Sequence, residues 1–93
     1  MIKKSRDAKT GAAKVTFALP VQQVQGTVSV VGTFNDWTPG INVLRRRSNG
    51  TASTTVLVEP GRPLQFRYLA TGGVWFDDDA ADAVTAAGSV VHV

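Results

Sequence analysis

The segment LQFRYLA (Leu64–Ala70) alternates large apolar side chains with other residue types at a period of two. Leu64, Phe66 and Tyr68 fall on one face of an extended chain, and Arg67 falls on the opposite face. This period is typical of a β-strand that buries one face and exposes the other. The segment therefore predicts a strand whose aromatic face enters a core and whose Arg67 points away from that core.

The same pattern continues in both directions along the chain, with turn residues between the segments. Six further segments predict strands: KVTFAL (14–19), TVSVVG (27–32), INVLRRR (41–47), TASTTVLV (51–58), VWF (74–76) and SVVHV (89–93). Ser48–Gly50 (SNG) predicts a hairpin turn, and EPGRP (59–63) interrupts the pattern with two prolines. Short strands with turn signals about every 8–12 residues are typical of an antiparallel β-sandwich, so the sequence predicts an all-β fold.

The segment 77–87, DDDAADAVTAA, has no apolar face of useful width, so it predicts a loop with at most one helical turn. Its carboxylates, Asp77–Asp79 and Asp82, are the ligand type that hard cations prefer. They lack the glycine and the distal glutamate of an EF-hand loop. A solvated acidic loop is therefore favoured over a calcium site.

Basic charge is concentrated at the N-terminus of this 93-residue chain, whose net charge is +3. Residues 1–14 contain five basic residues and one acidic residue, a net charge of +4, so residues 15–93 carry −1. We therefore expect residues 1–14 to form a flexible basic tail and residues 15–93 to form a single domain. The tail could alternatively tether the protein to an anionic partner. Nucleic acid is a disfavoured partner because the predicted domain is nearly neutral.

The composition also predicts a cellular location. No stretch is as apolar as a membrane span, and no apolar segment follows the basic N-terminus as it would in a secretory signal. The chain has no cysteine, which excludes disulfides and thiolate metal sites. We expect a cytoplasmic protein that does not associate with membranes.

Residues that enzymes use for covalent or acid–base chemistry are few and scattered. The one histidine, His92, falls on the exposed face of the last predicted strand. Ser89 lies three positions earlier and faces the opposite side, so the two do not form part of a catalytic triad. The stretch ATGGVW (70–75) lacks the lysine and the following helix of a phosphate-binding loop. We expect a protein that is not an enzyme and holds no cofactor or metal.

The two tryptophans, Trp37 and Trp75, lie outside the regular apolar alternation. Trp37 ends the polar corner after TVSVVG, and Trp75 follows a Gly-Gly turn. Each is either an anchor that packs a corner or a platform on which a flat ligand stacks. Sugar rings stack on indoles, and their hydroxyls need fixed hydrogen-bond partners. Arg67 is a candidate donor because its guanidinium fork bridges neighbouring hydroxyls.

Three segments, VSVVGTFNDW (28–37), PLQFRYLATGGVW (63–75) and GSVVHV (88–93), together resemble family 48 of the carbohydrate-binding modules. This family includes the glycogen-binding domain of the AMP-activated protein kinase beta subunit and the N-terminal early-set domains of isoamylase and branching enzymes. The resemblance covers residues 15–93. It implies an immunoglobulin-like sandwich of seven to eight strands that binds α-1,4-glucans such as glycogen, starch and maltodextrin.

The resemblance also implies which residues bind the sugar. Trp37 matches a tryptophan that stacks on glucose, Trp75 matches the second tryptophan, and Arg67 matches a basic residue that is usually lysine. Phe34 and Asn35 match residues that mainly build the corner. The candidate sugar-binding residues are Trp37, Trp75, Arg67, Asn35, Asn42 and Thr38.

Two departures from the family pattern predict weak binding. Ala87 stands where a leucine enters the curl of the glucan, and Val91 lies near the place of a sugar-binding asparagine. A sugar hydroxyl that loses its partner on burial costs about 1–3 kcal/mol. The alternative is a degenerate early-set domain that acts as a protein-interaction or scaffolding module, with an enzyme of glycogen metabolism as a possible partner. We expect the chain to be a monomer.

Overall fold

Two antiparallel β-sheets enclose one core in the computed structural model, which describes residues 2–24, 26–78 and 80–93. The strands are β1 (Ile2–Arg6), β2 (Ala13–Pro20), β3 (Val28–Gly32), β4 (Arg45–Arg46), β5 (Thr51–Val58), β6 (Pro63–Ala70), β7 (Val74–Phe76), β8 (Ala83–Thr85) and β9 (Gly88–His92). Sheet A has the order β1-β2-β5-β4, and sheet B has the order β3-β6-β9-β8 with β7 paired to β6. Short 3-10 helices span Val21–Gln23 and Thr33–Asn35. The prediction of an all-β fold with two antiparallel sheets is confirmed.

The core lies between the inward faces of β2 and β6. The ring centroids of Phe17 and Phe66 are 4.7 Å apart, and those of Phe66 and Tyr68 are 5.6 Å apart, both pairs edge to face. All three side chains are fully buried, and such aromatic pairs contribute about 0.5–1.5 kcal/mol beyond their buried area. The predicted inward face of β6 is therefore confirmed.

Part of the predicted tail is ordered as a strand. Residues 2–6 form β1, which pairs with β2 over five residues from Ile2 opposite Phe17. Ile2 is half-buried against the core, and Lys4 Nζ lies 2.8 Å from Oδ2 of Asp82, the residue just before β8 of sheet B. The excess of positive charge suggested a solvated tail, but charged side chains also suit an edge strand, where they face water.

The acidic, Ala-rich segment that was predicted as a loop contains β8, so the described residues contain nine strands instead of the expected seven to eight. β8 forms a tight hairpin with β9, in which Thr85 Oγ1 donates to the Gly88 carbonyl oxygen at 3.1 Å. The sequence does not indicate this strand because all three of its residues are exposed. Its partner decides its conformation.

The chain crosses from sheet B to sheet A in the segment 42–46. Asn42 O and Leu44 N hydrogen-bond with β3 at 2.8 and 2.9 Å, and Arg45–Arg46 then pairs with β5. Only this dipeptide of the predicted strand 41–47 is a strand in sheet A. The predicted hairpin turn at Ser48–Gly50 is confirmed, since it joins β4 to β5. The crossing places the preceding loop, 36–41, at the border of sheet B.

None of the described residues belongs to a helix with the length and apolar character that crossing a membrane requires.

Candidate functional site

One side of sheet B faces away from the core, and we call it the outer face. Its side chains at the centre are Ser29, Val31, Arg67, Leu69 and Trp75. Ser29 lies beside Leu69 in the pairing register, and Leu69 lies beside Trp75. Val31 lies beside Arg67 in the neighbouring row. Cross-strand partners project from the same face of a sheet, so Arg67 and Trp75 are brought together on this surface.

Trp75 presents its indole to solvent from the outer face. Its side chain is 49% exposed, although tryptophan is highly buried on average in folded proteins. The next residue, Phe76, points inward, and its ring centroid lies 5.1 Å from that of Tyr68. Because successive side chains of a strand point to opposite sides, packing of Phe76 in the core holds Trp75 outside it.

Trp37 is also exposed, at 39%, and it occupies a constrained backbone conformation. Asp36 and Trp37 have positive φ angles of 53° and 57°. For residues other than glycine such angles cost about 1–3 kcal/mol each and persist only where the surrounding structure enforces them. The Trp37 amide donates to the Gly32 carbonyl oxygen at 2.9 Å, which closes the corner after β3.

The side chain of Asn35 holds this corner together. Its Oδ1 accepts a hydrogen bond from the Gly32 amide at 3.0 Å, and its Nδ2 donates to Val30 O and to Asn42 Oδ1, both at 2.9 Å. Both N–H groups of the Asn35 amide are therefore occupied within the chain. Thr38, by contrast, is exposed, and its hydroxyl lies 3.5 Å from the Asp36 carbonyl oxygen. A role for Asn35, Asn42 and Thr38 at the rim of a sugar site stays a prediction.

The loop that follows Trp37 lies against the outer face. The Gly40 amide donates to the hydroxyl of Ser29 at 3.2 Å, and Ser29 is in the same cross-strand row as Leu69 and Trp75. Ser29 and Val31 are buried although they point away from the core. The loop after Trp37 thus reaches the row that contains Trp75. A common face for the two tryptophans stays a prediction.

Arg67 is held in place by acceptors on the segment between β7 and β9. Its Nη2 donates to the Ala86 carbonyl oxygen at 2.7 Å, and its Nε lies 3.6 Å from Asp77 Oδ1. Gly88 lies beneath it with φ +124°, and a Cβ there would come within 3.2 Å of Arg67 Cγ and 2.9 Å of the Phe66 carbonyl oxygen. The side chain of Arg67 is 34% exposed, so the guanidinium is accessible but already oriented.

Asp77 lies at the margin of the outer face, where the chain leaves β7, and sequence reasoning missed this. The register that places Leu69 beside Trp75 places Arg67 beside Asp77 two residues further on, in agreement with their ion pair. The Ser89 hydroxyl also donates to Asp77 Oδ1 at 3.0 Å. The spacing of two residues from Trp75 was a usable signal for a common face, but the pairing with Arg67 was not visible in the sequence.

The other carboxylates of this segment make contacts within the fold. Tyr68 Oη donates to the buried Asp78 Oδ2 at 2.6 Å. Burial raises the pKa of Tyr68 well above its ordinary value, and the hydrogen bond to Asp78 raises it further. Asp79 lies outside the described residues. Across the ranges that the structure does describe, no group of three or more histidine, cysteine, aspartate or glutamate residues is arranged to hold a metal ion.

The positions at which the chain departs from the family pattern lie in different environments. Val91 is fully buried and pairs with Leu64 on the inward side of β6. A side chain at this position therefore does not reach the outer face. Ala87 is exposed in the β8–β9 turn, where its amide donates to Thr85 Oγ1 at 3.1 Å.

His92 is exposed and Ser89 is fully buried, so the two side chains face opposite ways as predicted. The His92 amide donates to Asp82 Oδ2 at 2.7 Å. The hydrogen bond from Lys4 holds the pKa of Asp82 below its ordinary value, and the bond from the His92 amide lowers it further.

Comparison with known proteins does not assign this chain to a family: no protein-family model matches it, and no curated protein matches it.

Proposed function

We propose that this chain is a non-catalytic, cytoplasmic α-1,4-glucan-binding domain of the early-set immunoglobulin type. Trp37 and Trp75 form its stacking platform, Arg67 donates hydrogen bonds to sugar hydroxyls, and Asp77 accepts them. The ligand is an oligosaccharide or polysaccharide of the glycogen and starch type. Binding is weak, in the millimolar to high micromolar range.

The observation that carries the proposal is the exposed indole of Trp75 on the outer face, in the row next to Arg67, together with a second exposed tryptophan, Trp37, in the corner after β3. Large exposed apolar side chains of this kind are typical of ligand-binding surfaces. A glucose ring matches this surface because its C–H face stacks on an indole while its edge hydroxyls reach polar groups.

The pair formed by Arg67 and Asp77 supports a sugar over a purely apolar ligand. Each glucose hydroxyl is both a donor and an acceptor, as are the hydroxyls of side chains. The Arg67 guanidinium supplies hydrogen-bond donors and the Asp77 carboxylate supplies acceptors, and the two groups are close together, with 3.6 Å between Nε and Oδ1. Because Ala86 and Gly88 already orient the guanidinium, little side-chain freedom is lost when it engages a ligand.

A second candidate function is a protein-interaction module without sugar binding. It is favoured by the hydrogen bonds of Asn35 and Asn42, which are made to each other and to the backbone, and by the contact of Arg67 with Ala86 O. These contacts reduce the number of polar groups that are available to a sugar. Trp37 and Trp75 would then be anchors for a protein partner, such as an enzyme of glycogen metabolism.

Titration with maltoheptaose and β-cyclodextrin tests the proposal. We expect saturable shifts of both tryptophan indole N–H resonances and a change in tryptophan fluorescence, with no response to the β-1,4-linked cellohexaose. Trp75→Ala should weaken binding by about 2- to 13-fold, the loss expected from an aromatic contact of about 0.5–1.5 kcal/mol.

Control variants show whether a loss of affinity comes from the tryptophan contact itself or from shortening any exposed side chain. Val74→Ala removes an exposed apolar side chain (57% exposed) next to Trp75 in the same strand, and it should leave the affinity unchanged. Asp77→Asn keeps the size of the side chain and should weaken binding. If neither indole resonance shifts at ~10 mM maltoheptaose, the free energy of binding is weaker than about −3 kcal/mol. That result would reject sugar binding in favour of the interaction module.

A further inference from the structure

All the charged residues in the strands of sheet A are positive. β1, β2 and β4 contain three, one and two lysine or arginine residues, and the four strands of the sheet contain no aspartate or glutamate. The carboxylate side chains of the described residues lie outside the strands. The side of sheet A that faces away from the core therefore receives no carboxylate from its own strands.

Two arginines, Arg45 and Arg47, project from this side at the hairpin that joins β4 to β5. Arg45 pairs with Ser53, and the Arg47 amide donates to the Thr51 carbonyl oxygen at 2.7 Å. Ala52, between Thr51 and Ser53, is fully buried, so Ser53 and both arginines face away from the core. Cα atoms two positions apart in an extended chain are separated by about 7 Å. At this spacing two guanidinium groups can hold one anion between them.

Ser53 orients one guanidinium and keeps a donor for a ligand. Arg47 Nε donates to Ser53 Oγ at 3.0 Å, and Arg47 Nη2 donates to the Ser53 carbonyl oxygen at 3.4 Å. Because Ser53 Oγ accepts this hydrogen bond, its own hydroxyl proton is left to be donated. Within the described residues the hydroxyl of Ser53 donates to no acceptor. The guanidinium of Arg47 and the hydroxyl of Ser53 are thus held together as donors.

The neighbouring positions add a second hydroxyl, a further cation and open space. Thr16 lies beside Thr55, and one of their hydroxyls donates to the other at 2.9 Å, which leaves one hydroxyl proton of the pair. Lys3 lies beside Thr16 in the register of β1 and β2. Ala18, beside Ser53, has a small side chain and leaves room above the sheet. The anion patch consists of Arg45, Arg47, Ser53, Thr16 and Thr55.

We propose that the anion patch binds a phosphate group, either as inorganic phosphate or as a phosphate monoester. In the described ranges neither Arg45 nor Arg47 is ion-paired with a carboxylate, so their two positive charges match a ligand with a charge of about −2. Guanidinium groups donate paired hydrogen bonds to phosphate oxygens. A phosphate monoester presents three acceptor oxygens, enough for both arginines and Ser53, whereas a carboxylate presents only two.

This site goes beyond sugar binding and does not depend on it. The anion patch lies on sheet A, whereas Arg67 and Trp75 lie on sheet B. A phosphate titration without a response would therefore leave the glucan proposal standing. A maltoheptaose titration without a response would likewise leave the phosphate site standing.

Titration of the full 93-residue chain with sodium phosphate at neutral pH and constant ionic strength tests the site. Nitrogen–proton correlation spectra follow the Nε–H resonances of Arg45 and Arg47 and the amide of Ser53. We expect saturable shifts of these resonances in the millimolar range, and no saturable shift when sodium chloride replaces phosphate. Glucose 6-phosphate presents the same dianion as an ester, and the tighter of the two phosphate probes identifies the source of the bound group.

Variants separate a built site from a general effect of charge. Arg45→Gln should weaken phosphate binding by about 10-fold or more, the loss expected for a hydrogen bond to a charged group. Arg62→Gln removes the same charge from an exposed arginine outside the patch, where it lies 3.7 Å from Glu59, and it should leave the affinity unchanged. Equal losses in the two variants would overturn the proposal.

The wild-type protein provides a test that does not depend on a variant that folds. The absence of saturable shifts at Arg45, Arg47 and Ser53 up to ~50 mM phosphate would overturn the proposal. Shifts of the same size in sodium chloride of matched ionic strength would also overturn it, because they would report screening by any salt.

Discussion

Replacement of Asn35 by alanine should destabilise the whole domain, because this side chain holds the corner that presents Trp37. The variant loses one hydrogen bond to the Gly32 amide and two from Nδ2, to Val30 O and Asn42 Oδ1. All three partners are backbone or half-buried groups at the end of β3 and in the segment 42–46. Without these hydrogen bonds, the corner no longer enforces the positive φ angles of Asp36 and Trp37.

The magnitude follows from the number of bonds. A hydrogen bond within a folded protein contributes about 0.5–1.5 kcal/mol, so the loss of three predicts a decrease of about 1.5–4.5 kcal/mol in the free energy of unfolding. The stability of a domain of this size is itself of order 5–15 kcal/mol. Since 1 kcal/mol shifts the midpoint of thermal unfolding by about 4–8 °C for a small domain, the effect on Tm should be easily measurable.

Urea denaturation followed by far-UV circular dichroism measures the change directly, and tryptophan fluorescence reports the corner separately. Asn35→Asp is the isosteric companion variant: it keeps the acceptor for the Gly32 amide but places an oxygen against Val30 O and Asn42 Oδ1. It should therefore be at least as unstable as the alanine variant. Thr38→Ala, on the exposed side of the same loop, should change stability by less than about 0.5 kcal/mol.

Two results would refute this reasoning about the corner. One is an alanine variant of Asn35 whose free energy of unfolding lies within about 0.5 kcal/mol of the wild type. The other is an aspartate variant as stable as the wild type, because that would mean the two donated hydrogen bonds contribute nothing. A loss of sugar response without a loss of stability would instead assign Asn35 to the rim of the site.

Three further predictions concern the packing and electrostatics of the fold. Gly32→Ala should destabilise the protein by about 1–3 kcal/mol or more, because its Cβ would lie 2.3 Å from a carbonyl oxygen of β6; a variant with an unchanged urea midpoint would contradict this. Lys4→Met should lower the urea midpoint at neutral pH, and the difference from wild type should shrink as the pH falls through the depressed pKa of Asp82. Lys3→Met is the control without this ion pair, and an equal effect of both variants would contradict the assignment. Tyr68, the single tyrosine, should ionise only as the protein unfolds, since burial raises its pKa above the ordinary value of about 10. The free energy of unfolding should therefore fall as the pH rises past about 10. Tyrosinate absorbance in the folded protein would contradict this prediction.

The alternation of β6 shows what a local pattern predicts. Phe66 and Tyr68 were assigned to the core and Arg67 to the opposite face from their spacing alone, and all three assignments are confirmed. The boundaries of the Thr51–Val58 strand also agree with the sequence. Period-two burial depends only on neighbouring residues along one strand, which is why it can be recognised without knowledge of the fold.

The errors lie where long-range pairing overrides composition. β1 was hidden in a basic segment because its charges face solvent and only Ile2 meets the core. β8 was hidden in an acidic, Ala-rich segment because it forms only when β9 lies beside it. The environment of Val91 was also invisible in the sequence, because only the register of β9 places it in the core.

The sequence by itself determined that the fold of this protein is all-β, with one inward and one outward face on β6 and two tryptophans outside the apolar alternation. Only the tertiary structure decided that Arg67 meets Asp77, that Trp75 lies in the neighbouring row, and that β5 pairs with β2 along its whole length but with β4 at only two residues. The physical reason is that side-chain direction follows from local backbone geometry. The neighbour across a sheet, in contrast, depends on which distant strand arrives there and in which register.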